Sequence, residues 1–150
     1  MVILKPMSAE RFENWWEQVW VSYRAELIQA GATAAAADEN VANNVAATFV
    51  DGALAPGNFV FDVFADDDRV GVTWLAERGD EWFIYDIEIE ESYRGRGLGR
   101  ETMRAIEQHV REQGGKQIAL SVFGFNQTAQ RLYLSEGYET VRLSMLKKLH

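Results

Sequence analysis

The sequence predicts an α+β fold in three layers, a mixed central sheet of six to seven strands flanked by about four helices. Three stretches predict it. Residues 59–90 hold three runs of strand composition separated by Asp66-Asp67-Asp68 and Gly79-Asp80, which reads as an antiparallel meander. Arg94-Gly95-Arg96-Gly97-Leu98-Gly99 then turns the third strand into an amphipathic helix, Leu98 to Gln113. A further strand, Ile118 to Phe123, follows that helix, and strand–helix–strand implies a parallel pair with a right-handed crossover.

The elements follow in chain order. Val2-Ile3-Leu4 is a short strand stopped by Pro6. Ser8 is placed to cap a first helix with Phe12, Trp15, Trp16, Val19, Tyr23 and Leu27 at helical spacing, ending at Gly31. This stripe reads as core, but Trp15 and Trp16 are adjacent and cannot face one way, so one is left for a pocket or a partner. A second helix begins near Thr33, carries Val41, Val45 and Phe49, and stops at Asp51-Gly52; Ala55-Pro56-Gly57 is a loop. The meander strands are Phe59 to Ala65, Val70 to Glu77 and Trp82 to Glu90. By simple alternation Phe83, Tyr85, Ile87 and Ile89 share one face of the third strand, and Ile84, Asp86, Glu88 and Glu90 the other. A strand leading into the glycine turn is central, where an unpaired carboxylate is costly, so Asp86 and Glu88 call for a functional reason. In the next helix Leu98, Thr102, Ile106 and Val110 form the buried stripe, His109 borders it as a structural histidine, and Gly114-Gly115 stops it. Asn126 caps a last helix, Gln127 to Glu136, ended by Gly137. Tyr138 to Lys148, with Val141, Leu143, Met145 and Leu149 alternating, is expected to supply one or two final strands.

Composition narrows the function. A chain of 150 residues, 47% hydrophobic and 25% charged, is expected to form one domain, residues 1–150. The net charge of −8 argues against a nucleic-acid partner and favours a cationic small partner. With no cysteine there is no disulfide or thiolate nucleophile, and with only His109 and His150 no histidine metal centre or serine–histidine–aspartate triad is expected. No apolar run is long enough to span a bilayer and the N-terminus lacks a signal-peptide pattern, so a soluble, intracellular, cytoplasmic protein is expected.

The glycine turn offers an anion cradle. Glycines at alternate positions remove the Cβ atoms that would hold a phosphate off, the first-turn N–H groups of the helix donate, and Arg94, Arg96 and Arg100 add charge. On the last helix Asn126 and Tyr133 are two turns apart and lie on nearly one face.

The order of elements, the stretch Arg94 to Gly99 and the run Leu132-Tyr133-Leu134-Ser135-Glu136-Gly137-Tyr138 after Asn126 resemble the GNAT N-acetyltransferase superfamily along nearly the whole chain. The stretch is similar to that family's acetyl-CoA pyrophosphate motif, R/Q-x-x-G-x-G/A. The resemblance implies acetyl-CoA as co-substrate, with no metal, and direct transfer of its acetyl group to an amine within a ternary complex. It implies that the backbone of Arg94, Gly95, Arg96, Gly97, Leu98 and Gly99 holds the pyrophosphate with Arg100 nearby. Ile87 and Ile89 would pair with the pantetheine, Asn126 contact the cofactor arm and Tyr133 protonate the leaving thiolate. It further implies a cofactor wedged between two splayed parallel strands, here Tyr85 to Glu90 and Ile118 to Phe123. Some members place a glutamate on the strand before the Asn-initiated helix; this chain has Ser121, which leaves Glu88, ranked slightly first, or Asp86 as the base. Dimers are frequent in the family, so a homodimer is left open.

Two other classes compete. A dinucleotide module needs G-x-G-x-x-G, whereas Gly95, Gly97 and Gly99 are spaced G-x-G-x-G. A non-catalytic acyl-CoA sensor on the same fold would be expected to lack Tyr133 or the strand carboxylates, and this chain keeps both.

Overall fold

The computed structural model describes residues 1–150 and places them in seven strands and four α-helices. A five-stranded sheet has the order β1-β4-β5-β6-β7. Its strands are β1 (Val2–Pro6), β4 (Asn58–Ala65), β5 (Asp68–Arg78), β6 (Glu81–Ile89) and β7 (Gln117–Leu120). All neighbours are antiparallel except β6 and β7, which are parallel as the crossover through the third helix requires. Two further strands, β2 (Phe49–Val50) and β3 (Ala53–Leu54), form a small separate hairpin around Asp51-Gly52.

Helices α1 (Ala9–Gln29) and α2 (Ala34–Thr48) start at caps of the expected kind: Ser8 accepts from the Arg11 N–H at 3.3 Å and Thr33 from the Ala36 N–H at 3.1 Å. Helices α3 (Leu98–Glu112) and α4 (Gln127–Ser135) complete the set, with a short 3₁₀ turn at Glu91–Tyr93 between β6 and α3.

The sheet separates two apolar layers. On one face Phe61, Leu75, Trp82 and Ile84 pack against Met103, Ile106 and Val110 of α3, with Leu132 and Tyr133 of α4 at the margin. On the other, Val60, Val72 and Trp74 meet Phe12, Trp15, Trp16 and Trp20 of α1. His109 lies edge-on to Phe61 and Trp82, at ring separations of 5.1 and 5.7 Å, which is the structural place expected of it. The α1 layer is also pinned by charge. Arg11 donates from Nε and Nη2 to the buried Asp62 carboxylate on β4, the shortest contact being 2.8 Å. A two-pronged pair of this kind fixes helix direction as well as attraction.

Two expectations fail. Alternation does not run through β6: Trp74 pairs with Asp86 but Leu75 with Ile84, so Tyr85 is an extra residue, a β-bulge. Before the bulge Trp82 and Ile84 face α3; after it Ile87 does, while Asp86 and Glu88, opposite Trp74 and Val72, face α1. Phe83 and Tyr85 therefore do not share a face with Ile87 and Ile89. The second failure is at the C-terminus. Residues 139–150 form no strand and make no hydrogen bond, and Val141 and Met145 are 94% and 91% exposed, so the sheet has five strands rather than six or seven. Alternation alone does not make a strand: the sheet ends at β7, and these residues form no ladder with that edge.

Candidate active site

The bulge and the end of β7 coincide. β6 pairs with β7 only from Glu81 to Ile84, and β7 stops at Leu120, short of the expected Phe123; from Tyr85 onward β6 has no neighbour on that side. The parallel pair thus opens into a wedge whose one wall is Tyr85–Ile89. Ile87 and Ile89 lie on that wall, and the Ile89 carbonyl accepts from Arg94 Nε at 2.9 Å. The bulge also leaves the Asp86 carbonyl to Thr73, whose buried hydroxyl donates to it at 2.8 Å.

The glycine turn lies at the mouth of the wedge. Gly95 and Gly97 have φ of 79° and 77°, the left-handed region that suits glycine, and a Cβ built at either would meet nothing within 4 Å. Gly97 is the N-cap of α3 and offers no side chain, so the N–H groups of Leu98, Gly99 and Arg100 have no capping acceptor. Open space in front of unclaimed donors fits an anion. Gly99 serves another need, because its Cβ would come within 3.3 Å of Leu132 on α4.

The arginines divide. Arg94 and Arg96 are exposed beside the turn, Arg94 lying 3.8 Å from Glu88 and Arg96 over the Tyr93 ring. Arg100 instead donates to Glu136 and Ser135, at 2.6 and 3.0 Å, and so ties α3 to α4 together with Arg104. Asn126 is the N-cap of α4, its Oδ1 accepting from the Ala129 N–H at 3.2 Å, which leaves its amide nitrogen free.

Inside the wedge the carboxylates are unequal. Asp86 Oδ2 is shielded from solvent and has no hydrogen-bond partner. Burial, with the charges of Glu88 and Glu26 added, pushes the Asp86 carboxyl up to about 7. Glu88 is exposed and lines a cleft of about 240 Å³ with Arg11, Asn14, Trp15 and Gln18 of α1 and with Glu90, just past the end of β6. Trp15 is thus the member of the tryptophan pair that reaches a pocket, while Trp16 packs among Phe12, Trp20 and Phe49. Tyr133 is half-buried, and burial together with the Asp86 charge raises its phenol, keeping it protonated at neutral pH. Ser121 lies just past β7 and is exposed.

Glu26 of α1 is the group that sequence reasoning missed. Burial and the Glu88 charge raise its carboxyl. The signal was present: Trp15, Gln18, Ser22 and Glu26 fall within one narrow stripe of α1, beside the aromatic one.

A parallel pair that parts beside an uncapped helix N-terminus leaves room for a long cofactor arm between its strands and for a diphosphate at the helix, the layout of an acyl-CoA-dependent transferase. Known proteins with this layout share the sequence as well. Residues 10–138 match the model of the Acetyltransferase (GNAT) family, and the chain belongs to that family: it is an acetyl-CoA-dependent N-acetyltransferase. It is similar to the uncharacterized N-acetyltransferase YycN of Bacillus subtilis (strain 168), at 29% identity over 99% of both chains. The crystal structure of that protein superposes with a TM-score of 0.91, covering 100% of this chain and 99% of its own. Spermine/spermidine N(1)-acetyltransferase of the same organism is 36% identical over 53% of this chain and 47% of its own length. The aminoglycoside N-acetyltransferase AAC(6')-Iy, solved with CoA, shares the fold at 16% identity and a TM-score of 0.59, over 99% of each chain.

Proposed function

We propose that this enzyme transfers the acetyl group of acetyl-CoA directly to the primary amine of a small cationic acceptor, with Asp86 as general base and Tyr133 as general acid. The observation that carries the reading is the enclosed, unpartnered Asp86 Oδ2 at the opening between β6 and β7.

The glycine turn fits acetyl-CoA: the N–H groups of Leu98, Gly99 and Arg100 would hold the diphosphate, Arg94 and Arg96 would neutralise it, and the free edge of Tyr85–Ile89 would seat the pantetheine. Asn126 would add its amide N–H to that arm. The bound co-substrate supplies an activated acyl carbon and a thiolate leaving group. Asp86, with its carboxyl near 7, takes a proton from the acceptor ammonium and frees the nitrogen lone pair for attack on the acyl carbon. As the new C–N bond forms and the C–S bond breaks, Tyr133 gives its phenolic proton to sulfur and recovers one from solvent; the nitrogen sheds its remaining extra proton to water. No side chain is acylated, in keeping with a chain without cysteine. Asp86 is a better base than Glu88 because a carboxyl near neutrality combines basicity with availability, whereas Glu88 is exposed beside Arg94. The spermine-acetylating relative supports a cationic amine as acceptor.

Titration calorimetry with acetyl-CoA, followed by free-thiol release over a panel of primary amines, tests the proposal. Tight acetyl-CoA binding with amine-dependent thiol release is expected. Binding without release for any amine would favour a non-catalytic acyl-CoA sensor.

A further inference from the structure

The two edges of the main sheet are not alike. β1 is short and carries Lys5 and Pro6, a charge and a missing N–H that discourage a further strand. β7, at the other edge, has β6 on one side and nothing on the other. From Gln117 through Gln130 the chain holds no charged residue and no proline. Just past the strand Val122 and Phe125 are exposed, the rings of Phe123 and Phe125 stacking at 5.3 Å. The bend that carries them is held in place. Gln130 Nε2 donates to the carbonyls of Phe123 and Gly124 at 3.2 and 3.0 Å, and the Asn126 N–H to that of Phe123 at 3.0 Å. An edge of this kind is a ready template for another strand.

The chain also carries a segment that suits such a template and is not laid on it. Residues 139–150 are exposed throughout and form no hydrogen bond, yet Val141, Leu143 and Met145 alternate with Arg142 and Ser144 as a half-buried strand requires. Leaving these side chains and Leu146 in water forgoes the burial that drives such segments into a structure. Within its own chain the segment departs from Tyr138, whose N–H is held by the Tyr133 carbonyl, and brings Leu146 to Gly31, just past the end of α1, without pairing to β7. Its charge suits a second copy of this chain: Arg142, Lys147 and Lys148 outweigh Glu139, whereas the chain as a whole carries −8.

We propose that the protein forms a two-fold dimer by strand exchange, in which residues 140–146 of each copy add to the β7 edge of the other and bring their apolar side chains onto Val122 and Phe125. The exchange is reciprocal, so both free edges close at once and no open chain of copies grows. Each protomer then gains, from its partner, the sixth strand that the alternation at its own C-terminus predicts. The added strand lies beyond β7, away from the opening between β6 and β7, and leaves the cofactor path free. Both apolar layers of a protomer are complete without it, so the exchange joins folded protomers and does not fold them.

Sedimentation velocity on the full chain over a range of concentrations reads the mass, and crosslinking reads which chain the tail pairs with. The parent should sediment at twice the chain mass of 17.0 kDa, and a chain ending at Tyr138 at that mass once, still folded by circular dichroism. The double variant Arg142→Pro and Leu143→Pro should also be monomeric. Consecutive N–H groups point to opposite sides of a strand, so the pair removes a ladder donor whichever way the strand lies, and it does so in a segment that the protomer's own fold does not use. Because the chain has no cysteine, single cysteines report cleanly. A Val122→Cys chain mixed with a Leu143→Cys chain and treated with a short bismaleimide should yield a species containing one of each, and Arg142→Pro in the second chain together with a chain end at Tyr138 in the first should reduce it. A parent that stays at 17.0 kDa at every concentration would overturn the proposal, as would a dimer that survives loss of the tail. Crosslinking confined within single chains that carry both cysteines would show that the tail closes its own edge, and would overturn it too.

Discussion

Asp86 is held where an ionised carboxylate is poorly solvated, and its two forms therefore report on folding and catalysis in opposite senses. With the folded-state carboxyl near 7 and the unfolded value near 3.8, the folded chain binds the proton more tightly, so this group's contribution to stability falls as pH rises from about 4 through 7. Asp86→Asn removes that cost. The variant should melt a few degrees above the parent at pH 8 and close to it at pH 4, by calorimetry or circular dichroism, while losing about 10²–10⁴-fold in kcat. In the parent, the acidic limb of the pH–rate profile should rise through about 7 and vanish in the variant. An Asp86→Asn protein with parental turnover would return the base to Glu88 or to water. Tyr133→Phe separates the second role. Its ring still packs at the core margin, so acetyl-CoA affinity should hold while kcat drops, since the phenol works on charge that develops only as the C–S bond breaks. These residue types were legible in the sequence, a phenol and two strand acids. Their ranking was not, because Asp86 and Glu88 share one face of β6, and only the packing around them encloses Asp86 Oδ2 while leaving Glu88 exposed.

At the scale of elements, what could be read was what local chemistry decides. Ser8 and Asn126 cap the helices they were expected to cap, and Thr33, near which the second helix was expected to begin, caps that one, because a side-chain acceptor and its N–H donor lie within three residues. The bulge escaped because its residue is a tyrosine, neither glycine nor proline, and the apolar pattern around it stays compatible with plain alternation. The early end of β7 escaped because the opening depends on two strands remote in sequence. The glycine turn falls between these cases: its anion-binding shape was legible, but not that its glycines differ in purpose. A bulky residue at Gly99 would push on Leu132 and disturb the α3–α4 packing, so it is a poor probe of the cofactor. Gly97→Asn is a clean one. Asparagine tolerates a φ of 77° better than other side chains do, at a cost of about 1 kcal/mol, and its side chain would project into the open space in front of the first-turn donors. Acetyl-CoA binding by calorimetry should weaken at least tenfold while the melting temperature falls by only a few degrees. Parental binding would remove the diphosphate from this turn.

Across the whole molecule, charge and apolar surface are unevenly shared. The body is acidic, whereas the last twelve residues carry Arg142, Lys147 and Lys148 against the single acid Glu139. They leave Val141, Leu143 and Met145 exposed, and they approach one glycine, Gly31, where a built Cβ would lie 3.5 Å from Leu146 and 3.9 Å from Lys148. Tyr138 marks where cohesion ends. Its N–H donates to the Tyr133 carbonyl at 3.0 Å and its ring packs on the α3-side core, 6.0 Å from that of Tyr133. Two truncations that differ by one residue therefore differ in kind. A chain ending at Tyr138 loses no hydrogen bond and little buried area, so its melting temperature should stay within a few degrees of the parent. A chain ending at Gly137 also loses the ring, which at half burial is worth about 2 kcal/mol, and should melt roughly 5 °C lower still. It should also lose turnover, because Tyr133 would no longer be braced by its neighbour. If the chain ending at Tyr138 melts as low as the one ending at Gly137, the terminal residues contribute contacts in solution that a free tail does not make.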